Sequence, residues 1–181
     1  MKNVLVILGE SASGKTTFAE YVHNQYGYVV YEVGDYVRDE YRICAPNLLL
    51  AQFADRYYRQ GNLTLFVERA IKDAQNQSNR KVLFCGLRTE PELSCVRKVY
   101  PDCCVIKISC FADIRKRRYK KTKLDGITLH NRSQIEKNWA SDLMSDTPYD
   151  FLIQNNGSLD SFYQRIDQIF QTNINGSLEE A

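Results

Sequence analysis

The segment Gly9–Thr16 constrains this chain more than any other part of the sequence. It reads GESASGKT and fits the pattern G-x-x-x-x-G-K-[ST]. The apolar run Asn3–Leu8 before it is typical of a buried strand. The stretch Lys15–Tyr26 after it repeats apolar residues at helical spacing and ends at Gly27. A strand, a tight loop and a helix are therefore predicted in that order.

The residue types of this loop suit the binding of phosphate groups. Gly9 and Gly14 let the backbone curl so that its N–H groups face phosphate oxygens, and the following helix adds the positive end of its dipole. Lys15 would reach the β- and γ-phosphates, and the Thr16 hydroxyl would ligate Mg²⁺. ATP and Mg²⁺ are thus the expected cofactors. The residues predicted to contact ATP phosphates are Gly9, Ser11, Ala12, Ser13, Gly14, Lys15, Thr16 and Thr17.

Strand-like and helix-like segments alternate along the rest of the chain. This alternation predicts an α/β fold with a parallel sheet covered by helices on both faces. We expect one domain over residues 1–171 and a polar tail over 172–181. Further strands are predicted at 28–31, 81–85, 104–109 and 151–153, and further helices at 36–43, 46–60, 62–75, 89–100, 112–123, 133–143 and 158–170.

Composition excludes several classes of protein. The 181 residues are 44% hydrophobic and 25% charged, as in ordinary globular domains. No apolar run approaches the roughly 20 residues that span a bilayer, and Val4–Leu8 is too short for a signal peptide, so we expect a cytoplasmic protein without a membrane partner. The six cysteines show no C-x-x-C spacing, which argues against zinc and favours reduced thiols.

Positive charge is concentrated in one short stretch, Phe111–Leu124. It carries seven lysines and arginines against a single aspartate. A protein that binds nucleic acid is usually basic over a wider surface, so a nucleic-acid partner is not expected, whereas a small polyanion suits this stretch. Arg115 and Arg118 lie one helical turn apart and are predicted to bind phosphate. The lysines after them are interpreted as a solvated helix face.

Two further motifs follow predicted strands. Asp35, in Gly34-Asp35, could hold a metal-bound water, act as a base, or simply cap a helix. Arg38 lies one turn later and would face the same cleft, or form a surface ion pair. Arg88 follows the third strand, at the sheet edge where open α/β proteins bind ligands, so it could clamp a phosphate or act only as a surface residue.

Taken together, these motifs resemble those of the nucleoside monophosphate kinase family, above all the adenylate-kinase-like and dephospho-coenzyme-A-kinase-related proteins. The family pattern has a P-loop, G-D-x-x-R, D-G-x-R, a basic lid and a late N-x-G-S-L, whose last four positions are here Asn156–Leu159. The resemblance implies a five-stranded parallel sheet in the order 2-3-1-4-5. It also implies an acceptor-binding helical region at about 36–75 and a lid at about 111–132.

The resemblance implies transfer of the γ-phosphoryl group of ATP to a small phosphorylated acceptor, a nucleoside or deoxynucleoside monophosphate. Catalytic roles fall on Lys15, Asp35, Arg88, Arg115 and Arg118. Asp35, Arg38 and Arg88 would serve the acceptor, while Thr16 would hold the metal directly and Asp35 through water. The oligomeric state is not readable from the sequence.

One residue departs from the family pattern. Cys85 stands where the family has the aspartate that orients Mg²⁺-bound water, and a neutral thiol does not replace that charge. We therefore expect Cys85 to lie near the P-loop threonine and to limit the metal site. Two other functions remain open: a kinase of a hydroxyl acceptor, such as a metabolite, dephospho-coenzyme A or a polynucleotide end, with Asp35 as base, and a non-catalytic nucleotide-binding regulatory protein.

Overall fold

A computed structural model describes residues 2–45, 47–77, 81–122 and 147–174. The strands are β1 Val4–Leu8, β2 Val29–Glu32, β3 Val82–Cys85, β4 Cys104–Ser109 and β5 Phe151–Gln154. The helices are α1 Lys15–Tyr26, α2 Val33–Cys44, α3 Leu50–Arg59, α4 Leu65–Asn76, α5 Glu90–Val99, α6 Ala112–Thr122 and α7 Leu159–Ile169, which a π-helical turn, Phe170–Ile174, extends. The helix predicted at 133–143, the lid beyond 122 and the tail beyond 174 lie outside the described residues.

The strands form one parallel sheet in the order β2-β3-β1-β4-β5, which confirms the predicted fold class. Strand β1 is central, between β3 and β4. Residues at the carboxyl ends lie side by side, because Cys85 pairs in register with Ile7 on one side and with Glu32 on the other. The loops that follow β1, β2 and β3 therefore meet at one edge of the sheet, which is where ligands bind in folds of this kind.

Each face of the sheet contributes to its own hydrophobic core. Successive strand residues point to opposite faces, so Val6 and Phe84 pack with helices α2 to α5, whereas Leu5 and Ile7 pack with α1 and α7. The second core includes Phe162 of α7, which is 2% exposed. Helices thus cover both faces, as the alternation of segments predicted. No helix within the described ranges is long and apolar enough to cross a membrane.

Three helices begin three or four residues from the predicted positions. One of them is α4, which begins at Leu65 rather than at residue 62. Helix α2 begins at Val33 rather than Tyr36, so Gly34 and Asp35 belong to its first turn. Helix α3 begins at Leu50 rather than at residue 46. The chain turns before it, with the Leu48 N–H bonded to the Ala45 carbonyl oxygen, and the Gln52 side chain accepts from the Leu49 N–H. This side-chain cap fixes the helix start.

The second core gives a test of stability. Phe162→Ala should lower the free energy of unfolding by about 3–5 kcal/mol, because it leaves a cavity beneath the first loop. Phe111→Ala is the matched control, since Phe111 is 68% exposed, and should stay within about 0.5 kcal/mol of the wild type. Urea unfolding followed by circular dichroism measures both. Similar losses in the two variants would contradict the assignment of Phe162 to the core.

Candidate functional site

The loop between β1 and α1 is tightly curled. The Ser13 N–H donates to the Glu10 carbonyl oxygen at 3.1 Å, and Ala12 and Gly14 have φ angles of 62° and 113°. A side chain at Gly14 would be strained and would also clash with the Asn155 amide. The second glycine of the motif is thus required by its backbone conformation and by its neighbour.

Polar groups that suit an anion line this loop. The Lys15 Nζ donates to the carbonyl oxygens of Gly9 at 2.6 Å and Glu10 at 3.0 Å, so the ammonium lies over the loop. The Ser13 Oγ is buried and has no hydrogen-bond partner in the part of the chain that the structure describes. Buried hydroxyls are normally bonded, so this one fits a loop that takes a polar ligand. Thr16 is exposed in the first turn of α1.

Helix α6 brings two of its predicted phosphate ligands to the loop. The Arg115 guanidinium donates to the Ser11 carbonyl oxygen at 3.4 Å and forms a 2.9 Å ion pair with Glu10. Arg118 donates to the Ser13 carbonyl oxygen, also at 3.4 Å. The Arg115 side chain is only 12% exposed, and its Nε has no partner among the described residues. Two cations therefore lie beside the loop that carries Lys15.

Asn155, which the sequence analysis missed, holds the loop and α6 together. Its Nδ2 donates to the Ser13 carbonyl oxygen at 2.8 Å, and its Oδ1 accepts from Arg118 at 3.2 Å. Asn155 is 5% exposed and directly follows β5. The neighbouring Asn156 accepts from the Phe111 N–H just before α6. The sequence did contain a pointer to Asn155, because an asparagine directly after a predicted strand lies at the carboxyl edge of the sheet.

Asp35 and Arg38 form an ion pair with each other at the carboxyl end of β2. The Arg38 Nη2 lies 2.5 Å from Asp35 Oδ1, and the side chains are 42% and 65% exposed. A solvated pair of this kind adds little stability, about 0–1 kcal/mol. The geometry matches the surface ion pair that the sequence left open for Arg38, and it keeps a cation and a carboxylate at the sheet edge that also carries the loop.

Cys85 is fully buried beside a carboxylate. Its thiol bonds to Glu32 of the adjacent strand, and burial first, then Glu32, raises the pKa of this thiol well above its ordinary value, while Lys15 opposes the shift. Cys85 is therefore a neutral thiol within electrostatic reach of Lys15 and Asp35.

Glu32 is the acidic residue that sequence reasoning missed here. A side chain on Gly86, whose φ is 82°, would clash with the Glu32 carboxylate, so the glycine leaves room for it. Glu32 is half-buried. Position 85, where the sequence has cysteine instead of an acid, thus has the carboxylate of Glu32 beside it from the neighbouring strand. Only the register, in which Glu32 pairs with Cys85, reveals this.

Arg88 follows β3 in a loop that the predicted capping box holds. The Thr89 side chain accepts from the Glu92 N–H, and the Glu92 carboxylate accepts from the N–H groups of both Thr89 and Arg88. The Arg88 side chain is half-buried. Arg38 and Arg88 therefore follow adjacent strands at one edge, while Arg115 and Arg118 contact the loop between β1 and α1 directly.

Comparison with solved structures finds the same fold in a protein described as a sugar kinase and in two others. A sugar kinase from Janibacter sp. has a TM-score of 0.63 at 14% sequence identity, with 96% of each chain covered. TT1252 from Thermus thermophilus has a TM-score of 0.63 at 14% identity, with 95% of this chain and 98% of that chain covered. An uncharacterized protein from Eubacterium ventriosum has a TM-score of 0.54 at 15% identity, with 95% and 100% covered.

No protein-family model matches the chain, and no curated protein matches it significantly. At identities of 14–15% the structural likeness shows the fold alone. What the comparisons show is therefore the five-stranded parallel α/β fold, which the chain shares with these three proteins.

The contact between Cys85 and Glu32 changes the expected effect of an acid at position 85. Cys85→Asp would bury a second carboxylate beside Glu32, so we expect a cost of several kcal/mol in stability. Burial and like charge would raise the pKa of the new carboxyl, so the variant should lose stability as pH rises through that pKa.

The control is Cys85→Ala, which adds no charge. Thermal unfolding between pH 5 and 8 compares the two variants. A Cys85→Asp protein with the stability of the wild type and a tighter response to Mg²⁺ would contradict this expectation. It would instead support the simpler interpretation that only the missing acid limits the metal site.

Proposed function

We propose that this chain is an ATP-dependent phosphotransferase whose acceptor is a small phosphorylated molecule, a nucleoside or deoxynucleoside monophosphate. One observation carries the proposal: two arginines of α6 converge on the loop between β1 and α1. Arg115 and Arg118 both contact loop carbonyl oxygens, beside Lys15. Cations gathered around a curled loop at a helix N-terminus suit a triphosphate and the charge that develops during phosphoryl transfer.

On the donor side, the residues of the loop would exchange internal contacts for contacts with phosphate. Lys15 now donates to carbonyl oxygens of Gly9 and Glu10, and Arg115 pairs with Glu10. A bound triphosphate would offer Lys15 charged oxygens in place of neutral carbonyl oxygens, and it would offer Arg115 several anionic oxygens in place of one carboxylate. The buried Ser13 hydroxyl would gain a partner in the same event.

On the acceptor side, the available groups favour a phosphate over a hydroxyl. A phosphate acceptor is already anionic and needs no general base, but it needs neutralisation and in-line placement. Arg38 and Arg88 supply cations at the ends of adjacent strands. The carboxylate of Asp35 is engaged by Arg38, so its role in this proposal is to orient that arginine and metal-bound water.

The oxygen donors at the site fit Mg²⁺. This ion takes hard oxygen ligands, usually one or two from the protein together with waters and substrate phosphates. Thr16 would hold it directly and Asp35 through water, with Glu32 as a further carboxylate at the same sheet edge. Within the described ranges, no group of three or more His, Cys, Asp or Glu residues could hold a metal alone. Bound Mg²⁺ would supply neutralisation of the β- and γ-phosphate charge.

A hydroxyl acceptor is the second candidate. It is favoured by the structural likeness to a protein described as a sugar kinase, although the identity is only 14%. Asp35 would then act as the general base, which requires it to leave its ion pair with Arg38. The two candidates are separated by the class of acceptor that receives the phosphoryl group, a monophosphate or a hydroxyl compound.

The donor side is tested at Lys15. Lys15→Ala should weaken ATP binding by about 1.5–3 kcal/mol, because a charge-assisted contact is lost. Lys72→Ala is the control, since Lys72 is an exposed lysine on α4. Isothermal titration calorimetry with ATP and Mg²⁺ measures both variants. Unchanged affinity and unchanged rate in Lys15→Ala would show that the loop does not bind the nucleotide.

The acceptor side is tested at Arg38 and Arg88. Each alanine variant should raise the KM for the monophosphate and lower the rate, with ATP affinity nearly unchanged. Arg42→Ala is a closely matched control, because Arg42 pairs with Asp39 on α2 as Arg38 pairs with Asp35. Steady-state kinetics with each substrate varied separates the two effects. Lost ATP affinity with a normal KM for the acceptor would contradict the assignment.

A further inference from the structure

Glu92 is a buried carboxylate that joins two distant parts of the chain. It is 0% exposed, in the first turn of α5. Its Oε2 accepts from the N–H groups of Arg88 at 2.5 Å and Thr89 at 2.8 Å. Its Oε1 accepts from the Tyr58 hydroxyl of α3 at 3.0 Å. One side chain therefore connects α3 to the loop that carries Arg88.

The capping of α5 accounts for only part of this arrangement. A capping box needs the residue at this position to accept from the N–H of the capping residue, which here is Thr89, and glutamine serves as well as glutamate. The bonds from Arg88 and Tyr58 go beyond that requirement. They also explain how a carboxylate is accommodated in a position from which water is excluded.

The negative charge of Glu92 interacts with the positive charge of Arg88. Burial raises the pKa of the Glu92 carboxyl, whereas the bonds from Arg88 and Thr89, the Tyr58 hydroxyl and the positive charge of Arg88 all oppose that shift. The carboxylate thus bonds to the backbone of Arg88 and also interacts with its guanidinium. The hydrogen bond holds the backbone of Arg88 in place, and the negative charge of Glu92 favours side-chain positions that keep the guanidinium near the carboxylate.

We propose that Glu92 and Tyr58 are positioning residues, which hold Arg88 in its acceptor-binding orientation and couple that orientation to helix α3. This inference rests on the proposed function, in which Arg88 binds the acceptor phosphate. Tyr58 is 6% exposed and packs in the core with helices α2 to α4, so its ring is held by its neighbours and the position of its hydroxyl depends on that of α3. An acceptor that contacts these helices would therefore also affect the orientation of Arg88.

The adjacent tyrosines of α3 provide a matched test. Tyr58→Phe removes the hydroxyl that bonds to Glu92 and keeps the buried ring. Tyr57→Phe is the control, because the Tyr57 ring packs between Phe53 and Phe66 and its hydroxyl makes no hydrogen bond in the described part of the chain. We expect Tyr58→Phe to raise the KM for the monophosphate about 5- to 10-fold, which corresponds to one lost hydrogen bond. Its affinity for ATP should match that of Tyr57→Phe.

A second variant separates positioning from simple stability. Glu92→Gln keeps an oxygen that can cap α5 but removes the charge beside Arg88. It should also raise the KM for the acceptor, and its effect should be less than additive with that of Tyr58→Phe, because both act through one network. A purely structural role would lower the melting temperature and leave the ratio of the two substrates' KM values unchanged.

The outcomes separate this inference from the function on which it rests. If the wild type transfers phosphate to a monophosphate, but Tyr58→Phe and Glu92→Gln keep the acceptor KM of Tyr57→Phe, the inference is overturned and the function stands. If the wild type transfers to no monophosphate, the proposed function fails and the inference fails with it. A selective rise in acceptor KM supports both.

Discussion

The hydrogen bond from the Asn155 amide to the Ser13 carbonyl oxygen is the interaction on which the site depends. It holds the curled loop after β1 against the end of β5, and it explains why residue 14 is glycine, since a side chain there would clash with the same amide. The Oδ1 atom of Asn155 also accepts a hydrogen bond from Arg118, which holds α6 beside the loop. The loop, the sheet edge and the basic helix are thus arranged by one buried asparagine.

Positive and negative side chains lie close together at the carboxyl edge of the sheet. Lys15, Arg115 and Arg118 lie at the loop, while Glu10, Asp35 and Glu32 provide the negative charges around them. Each cation at the loop contacts a carbonyl oxygen or a carboxylate of the protein. Contacts within the fold therefore hold side chains of both charges beside the loop.

Local patterns in the sequence predicted the features that depend on residues close together in the chain. The loop motif between strand and helix and the capping box from Thr89 to Glu92 depend on neighbours in the chain, and the strand order followed from a family resemblance. Glu32 beside Cys85 and Tyr58 beside Glu92 depend on register and on packing between helices, which no local pattern encodes. The acceptor depends on a few side chains at the sheet edge rather than on the fold class, because one fold hosts many functions.

The most direct test of the central claim is to follow label from [γ-³²P]ATP with the wild-type protein and Mg²⁺. The acceptors should include nucleoside and deoxynucleoside monophosphates, sugars and other hydroxyl metabolites, dephospho-coenzyme A and a polynucleotide 5′-hydroxyl, beside a control without acceptor. The account predicts a labelled diphosphate product from one or more monophosphates, well above the control. Transfer only to a hydroxyl acceptor, or tight ATP binding with no transfer to any acceptor, would contradict it.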